Sequence, residues 1–245
     1  MVKTIEELIQ DLGVLEVAIE DVQSLSKDDY ALVRKDYFGA SDSSVLCGVN
    51  LYKNMDALLK EKNTKYITKE EREVGEKAIV KKGYDLEPII LQKAEEELGQ
   101  PVLKPQDMFR FKAHTVLSVN FDGVLEQGTN LYPVEAKLVS KWGEKYYNKT
   151  ITKEDALAVD MKLEGTDLAS HIKKKALKFG IPAYYYTQVQ QQLAGLDSDH
   201  GFLAAMFDET WTFKLFLVKR DNYVINKLYE LGDINKNKIK IGDNY

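Results

Sequence analysis

The chain has 245 residues, 44% of them hydrophobic and 30% charged, with a formal net charge of −5 at pH 7. That composition excludes a disordered or low-complexity polypeptide and leaves enough chain to bury a sizeable core. No apolar run approaches the ~18 residues that span a bilayer, and the lone Cys47 excludes an internal disulfide or a cysteine-rich metal centre built by one chain.

Thr4 and Glu7 form a capping-box pair that opens a first helix. Ser26 with Asp29 opens a short second one leading into Arg34, and residues 41–48 read as a third, stopped at Gly48. Residues 1–30 are expected to be an N-terminal helical extension. Thr68 with Glu71 starts a long helical region reaching roughly residue 98, loosened near Gly83 and ended by Gly99 and Pro101. The period then changes. Residues 115–126 and 131–139 alternate as strands do, around Gln127-Gly128-Thr129-Asn130, a tight turn with glycine where positive φ is cheap. A Lys-rich, partly helical segment follows over 141–180. Pro182 starts a helix to about residue 196, two strands are expected at 202–207 and 211–218, and a helix at 221–231. Residues 232–245 read as a flexible tail. With no repeat and no long linker, residues 1–245 are expected to form a single α/β domain. The acidic N-terminus does not read as a signal peptide, so the expected compartment is a reducing cytoplasm with no membrane segment.

The hairpin carries the chemistry. Alternation puts Ser118, Asn120 and Asp122 on one face of its first strand, and Glu135 and Lys137 on one face of its second. A turn centred between Gly128 and Thr129 sets Asp122 opposite Glu135 and Asn120 opposite Lys137. Directly opposed Cβ atoms lie about 5 Å apart, where two carboxylates repel. A divalent cation turns that repulsion into coordination, and Mg²⁺ takes one or two carboxylates plus waters and phosphate oxygens. The Lys137 amine beside it can orient or deprotonate a water, or stabilise charge developing on a phosphate. The same alternation also describes a plain solvated hairpin face, and a different loop length would separate the acids.

Asp122-Gly123, a turn, and Glu135-Ala136-Lys137 match the D…ExK signature of PD-(D/E)XK nucleases, a short motif on its own. Three further stretches are more specific. Arg34 with Gly39-Ala40-Ser41-Asp42 resembles the R…(T/G)AS element of YqaJ-type exonucleases. Gly83 with Leu86-Glu87-Pro88 resembles their G..LEP helix, and residues 181–193 (IPAYYYTQVQQQL) their IP..YY.QVQ.QL helix. In this order, over residues 30–231, the chain resembles the YqaJ-type, lambda-exonuclease-like phage recombination enzymes. The resemblance implies a PD-(D/E)XK core, a central mixed β-sheet flanked by helices, with 142–180 a family-atypical insertion. It implies an exonuclease digesting double-stranded DNA ends 5′→3′ to leave 3′ single-stranded tails, with two Mg²⁺ or Mn²⁺ ions per site. It also implies a phage or prophage protein in a bacterial cell, a single-strand annealing partner and a homo-oligomer, a trimeric ring. Position by position, it implies Asp122, Glu135, Glu87 and the Ala136 carbonyl as metal ligands and Lys137 as the catalytic lysine. Gln188 and Tyr185 would line the site from a facing helix. Arg34 and Ser41 would hold the 5′-terminal phosphate, with Ser118 a further substrate contact. The family places a second arginine soon after the catalytic lysine, where this chain has Ser140, Lys141 and Gly143. A structure- or site-specific endonuclease on the same fold, or a non-catalytic DNA-end-binding scaffold, are the alternatives. Retention of both acids and the lysine disfavours the scaffold.

A net negative charge fits a DNA-binding protein only if a local groove, or the inner face of a ring, is basic. The lysine clusters (Lys60, Lys62 and Lys65; Lys81 and Lys82; Lys173, Lys174, Lys175 and Lys178) read as solvated helix faces. One or two of Gln188, Gln191 and Gln192 are expected on an exposed polar face, and Val189, Leu193 and Leu196 on a core stripe. His114, His171 and His200 lack metal spacing and read as structural or surface residues. Cys47 reads as inert. Tyr146 and Tyr147, beside lysines, are candidate single-strand contacts.

Overall fold

The structure, a computed structural model, describes residues 3–147 and 167–239. The expected capping boxes are formed. Thr4 accepts the Glu7 amide to open α1 (Ile5–Asp11), and Ser26 accepts the Asp29 amide to open α2 (Lys27–Val33). The 41–48 stretch is a 3₁₀ turn running into a short helix, α3 (Ser43–Leu46), and it ends at Gly48 with φ 69°. Helix α4 (Met55–Lys62), capped by Asn54, was not expected. Thr68 caps α5 (Lys69–Gly75), but the break before α6 (Ala78–Leu98) falls at Glu76–Lys77, not at Gly83. Packing of Ile90, Leu91 and Ala94 outweighs the roughly 1 kcal/mol that a helical glycine costs. Pro88 lies inside α6, so the Tyr84 carbonyl loses its helical donor one turn earlier, next to Glu87.

Two mixed sheets make the body. In the first, β1 (Leu15–Ile19), β4 (Met108–Phe111) and β5 (Leu117–Val119) run antiparallel, and β2 (Phe38–Gly39) pairs parallel with β5. The expected helical extension over 1–30 is therefore corrected, because β1 is a strand of this sheet. The second sheet has the order β3 (Val102–Leu103), β6 (Gly123–Gln127), β7 (Asn130–Val139), β8 (His200–Phe207), β9 (Thr212–Lys219). The single strand expected over 115–126 is thus two strands in different sheets, joined across Asn120, Phe121 and Asp122. The hairpin register is the expected one, from Gly123↔Val134 to Gln127↔Asn130, with Gly128 at φ 66° in the turn.

Strand β7 is buried on both faces. Tyr132, Val134 and Ala136 pack with Ile90, Leu91 and Ala94 of α6. Leu131 and Val139 belong to the main core with Val189 and Leu193 of α9 (Ala183–Gly195). Glu135 shares the α9 side by alternation. The step from β7 to the parallel β8 requires a crossover; after the short α7 (Lys141–Glu144), α8 (Leu168–Phe179) and α9 supply it. Residues 167–180 are therefore core structure and not a surface insertion, since Ile172 and Ala176 are buried; residues 148–166 of the expected insertion lie outside the described residues. The expected tail is likewise ordered as far as residue 239. Helix α10 (Asn222–Asn235) packs Gly232 on Leu117, and Ile239 is buried.

Candidate active site

The two acids and the lysine meet at the seam between the sheets. Asp122 stands just before β6 and accepts the Ala136 amide through Oδ2 at 2.9 Å. It is therefore tied to the backbone of β7 instead of facing Glu135 as a ladder pair. Asn120, expected opposite Lys137, lies in the joining segment, where its carbonyl accepts from Gln192. Lys137 Nζ bonds Glu135 Oε1 and lies 3.8 Å from Asp122 Oδ2. Glu135 also accepts from Gln188 Nε2, and from Gln192 Nε2 at 2.5 Å.

Glu135 is 1% exposed. Burial, then the charge of Asp122, push its carboxyl above the usual range against the pull of Lys137 and Gln192. Burial alone would lower the Lys137 amine, but Glu135 and Asp122 outweigh it and hold the amine above the ordinary lysine range. A protonated Lys137 can orient a water or stabilise negative charge. Its ammonium also lies 5.4 Å from the centroid of the Tyr185 ring, on the same helix face as Gln188.

These side chains line a cleft of about 670 Å³ that also receives Arg34, Ser41 and Glu87. Among the described residues four cations (Lys27, Arg34, Lys104, Lys137) and three acids (Glu87, Asp122, Glu135) line it. A chain of net charge −5 thus presents a cleft that is not acidic. Arg34 Nη2 donates to Ser41 Oγ at 3.0 Å, and its guanidinium lies 5.5 Å from the centroid of the Tyr30 ring. A buried ion pair holds this corner. Lys62 Nζ bonds Asp42 Oδ2 at 2.7 Å and the Arg34 carbonyl at 3.0 Å, while Asp42 accepts the Gly39 amide. Lys62 is therefore not on a solvated face.

Glu87 is in the cleft but pairs with Lys104 at 2.6 Å. Among the described residues no three His, Cys, Asp or Glu side chains converge as a ready-made metal cluster. Ser118 does not line the cleft; it is buried, with its carbonyl accepting from Gln191. The expectation of an exposed glutamine face is corrected too. Gln191 and Gln192 are buried and Gln188 is half-buried on the cleft; Gln190, Gln191 and Gln192 each donate to a backbone carbonyl. Tyr147 is buried against Phe207 and Phe216 and cannot stack on a strand.

The YqaJ-like viral recombinase domain family matches residues 29–199. The chain belongs to this family. No curated protein matches the sequence. Among solved structures, an alkaline exonuclease from Laribacter hongkongensis superposes with a TM-score of 0.56 at 14% identity, covering 86% of this chain and 92% of that one. The same exonuclease in complex with dAMP gives 0.56 at 13%, again over 86% and 92%. A phage-related exonuclease from Haemophilus somnus gives 0.49 at 14%, over 83% and 93%. The fold of this YqaJ-like domain is the PD-(D/E)XK fold, with its mixed sheets flanked by helices.

The donor set of the YqaJ-like site fits a divalent cation. Two carboxylates, one from the joint before β6 and one from β7, already share one positive charge, the Lys137 ammonium. A hard cation needs only one or two carboxylates when waters and phosphate oxygens complete its shell.

No local pattern encodes the Asp42–Lys62 pair, because its partners are 20 residues apart and on different elements. The three histidines are structural, each on a carboxylate: His114 on Asp233, His171 on Asp221, and His200 on Asp199.

Two predictions arise here. A Cβ on Gly123 would lie 2.3 Å from Val102 Cγ1 and 3.1 Å from Leu91 Cδ2. Gly123→Ala is expected to cost about 1–3 kcal/mol, a fall of several degrees in Tm by calorimetry; an unchanged Tm contradicts the close contact. Cys47 is buried, and burial pushes its thiol up to about 12. At pH 8 the folded protein is expected not to react with Ellman's reagent, and to react fully once denatured; labelling of the folded protein contradicts that burial.

Proposed function

We propose that the chain is a divalent-metal-dependent exonuclease that degrades double-stranded DNA from its ends, 5′→3′, leaving 3′ single-stranded tails for recombination. The observation that carries this reading is the convergence of Asp122, Glu135 and Lys137 in one cleft with Arg34 and Ser41. Asp122, Glu135 and the Ala136 carbonyl would hold Mg²⁺ or Mn²⁺, with Glu87 completing the shell once released from Lys104. The ion supplies a Lewis acid for the phosphodiester and an acidified water. Lys137, as an ammonium, would stabilise charge on the phosphate oxygens. Gln188, bonded to Glu135, holds a water or phosphate oxygen without adding charge. Arg34 and Ser41 grip a terminal phosphate, a planar fork and a hydroxyl matching its oxygens. Such a pocket selects ends, because an internal phosphodiester carries no free terminal group.

The names of the solved neighbours and of the family support an exonuclease in recombination. A single-strand annealing partner and a trimeric ring belong to the same reading. No helix among the described residues is long and apolar enough to cross a membrane. The test is digestion of linear and covalently closed circular duplex in Mg²⁺ or EDTA. Mg²⁺-dependent loss of the linear form alone is the expected result. Cleavage of the closed circle would indicate an endonuclease, and no digestion at all a non-catalytic end-binding protein.

A further inference from the structure

We infer that Gln192 is a positioning residue that sets the spacing of the two acids and thereby the metal affinity of the site; this rests on the proposed function. Asp122 and Glu135 come from different structural units, the joint between the two sheets and the middle of β7. Ladder pairing begins only at Gly123↔Val134, so hydrogen bonds and ion pairs set their separation: Asp122 accepts the Ala136 amide, and Lys137 lies against both acids. A further tie is buried beneath the cleft. Gln192, fully buried on α9, donates from Nε2 to Glu135 Oε2 at 2.5 Å and to the Asn120 carbonyl, two residues before Asp122, at 3.3 Å.

Its Oε1 is buried without a hydrogen-bond partner among the described residues. Turning the amide over would set that oxygen against a carboxylate and a carbonyl, so the orientation is fixed by the two acceptors. The unused oxygen is a cost that well-packed cores avoid. Gln191 next to it is a built-in comparison. It is equally buried, and its Oε1 is likewise unpartnered among the described residues, but its Nε2 bonds the Phe38 and Ser118 carbonyls, stapling β2 to β5, with no hydrogen bond to either acid among the described residues.

The experiment titrates Mn²⁺ into the DNA-free protein by calorimetry, with thermal unfolding in parallel, for wild type, Gln192→Met and Gln191→Met. Methionine keeps the length and removes the donors. Gln192→Met is expected to raise the Mn²⁺ Kd about 10- to 100-fold, the effect of removing a group that orients a metal ligand. Gln191→Met is expected to lower Tm while its Kd stays within about twofold of wild type. Gln192→Asn, one methylene too short to reach both acceptors, gives the same reading should the methionine variant not fold. Wild-type affinity in a folded Gln192 variant, or equal weakening by Gln191→Met, overturns the assignment of Gln192 alone. A wild-type protein that binds no Mn²⁺ overturns the metal-dependent reading beneath it.

Discussion

Lys137→Ala is expected to slow duplex digestion about 10³-fold at saturating Mg²⁺, the order of loss when one charge-stabilising group is removed from a phosphoryl-transfer site. The reason lies in the geometry. The ammonium contacts Glu135 and lies 3.8 Å from Asp122, and the two acids keep it protonated. The proposed contribution is a positive charge where negative charge develops. Lys137→Arg distinguishes this role from that of a base. Arginine is charged at every accessible pH, so it should recover a measurable part of the lost rate, whereas a base cannot be replaced by it. The check is single-turnover digestion of an end-labelled duplex at a temperature well below each variant's Tm. An alanine variant as fast as wild type would remove Lys137 from the chemistry.

Arg34→Ala is expected to act on substrate choice. Charge-assisted hydrogen bonds from a guanidinium to phosphate contribute about 2–3 kcal/mol. Their loss should lower kcat/KM on 5′-phosphorylated duplex by about 30- to 150-fold. On 5′-hydroxyl duplex, wild type and variant should be equal, since no terminal phosphate reaches the pocket. The discriminating quantity is the ratio of the two rates, because a variant that merely folds badly slows both. Arg34 is well placed for this. Its carbonyl is held by buried Lys62, and its guanidinium lies between the Tyr30 ring and Ser41. A parallel drop on both substrates would assign Arg34 to structure, not to recognition of the end.

The parts of this molecule that were readable from sequence are those encoded locally. Capping pairs such as Thr4–Glu7 and Thr68–Glu71 are three residues apart, and the structure forms both. The hairpin register followed from one two-residue turn, because Gly128 fixes where the chain reverses. What alternation could not show is that the chain leaves one sheet at Val119 and enters another at Gly123. Period 2 continues across that seam, so Asp122 looked like a ladder residue when it is a joint. Strands β2 and β3 are two residues each, too short for any period to register. The glutamines of α9 misled for a different reason. Polar residues normally mark a solvated face, but here they satisfy carbonyls where the sheets meet, and only the tertiary arrangement supplies those partners. Position 87 is intermediate: the family resemblance implied Glu87 as an acid of the site, and in the structure it lines the cleft but is paired with Lys104.

The central claim is that Asp122 and Glu135 together accept a divalent ion beside Lys137. Anomalous diffraction from crystals grown with Mn²⁺ tests it most directly. The proposed chemistry predicts a manganese peak bonded to both carboxylates, at about 2.1–2.3 Å, with the Lys137 ammonium displaced from between them. A structure in which Mn²⁺ binds elsewhere, while Lys137 still bridges the two acids, would contradict it.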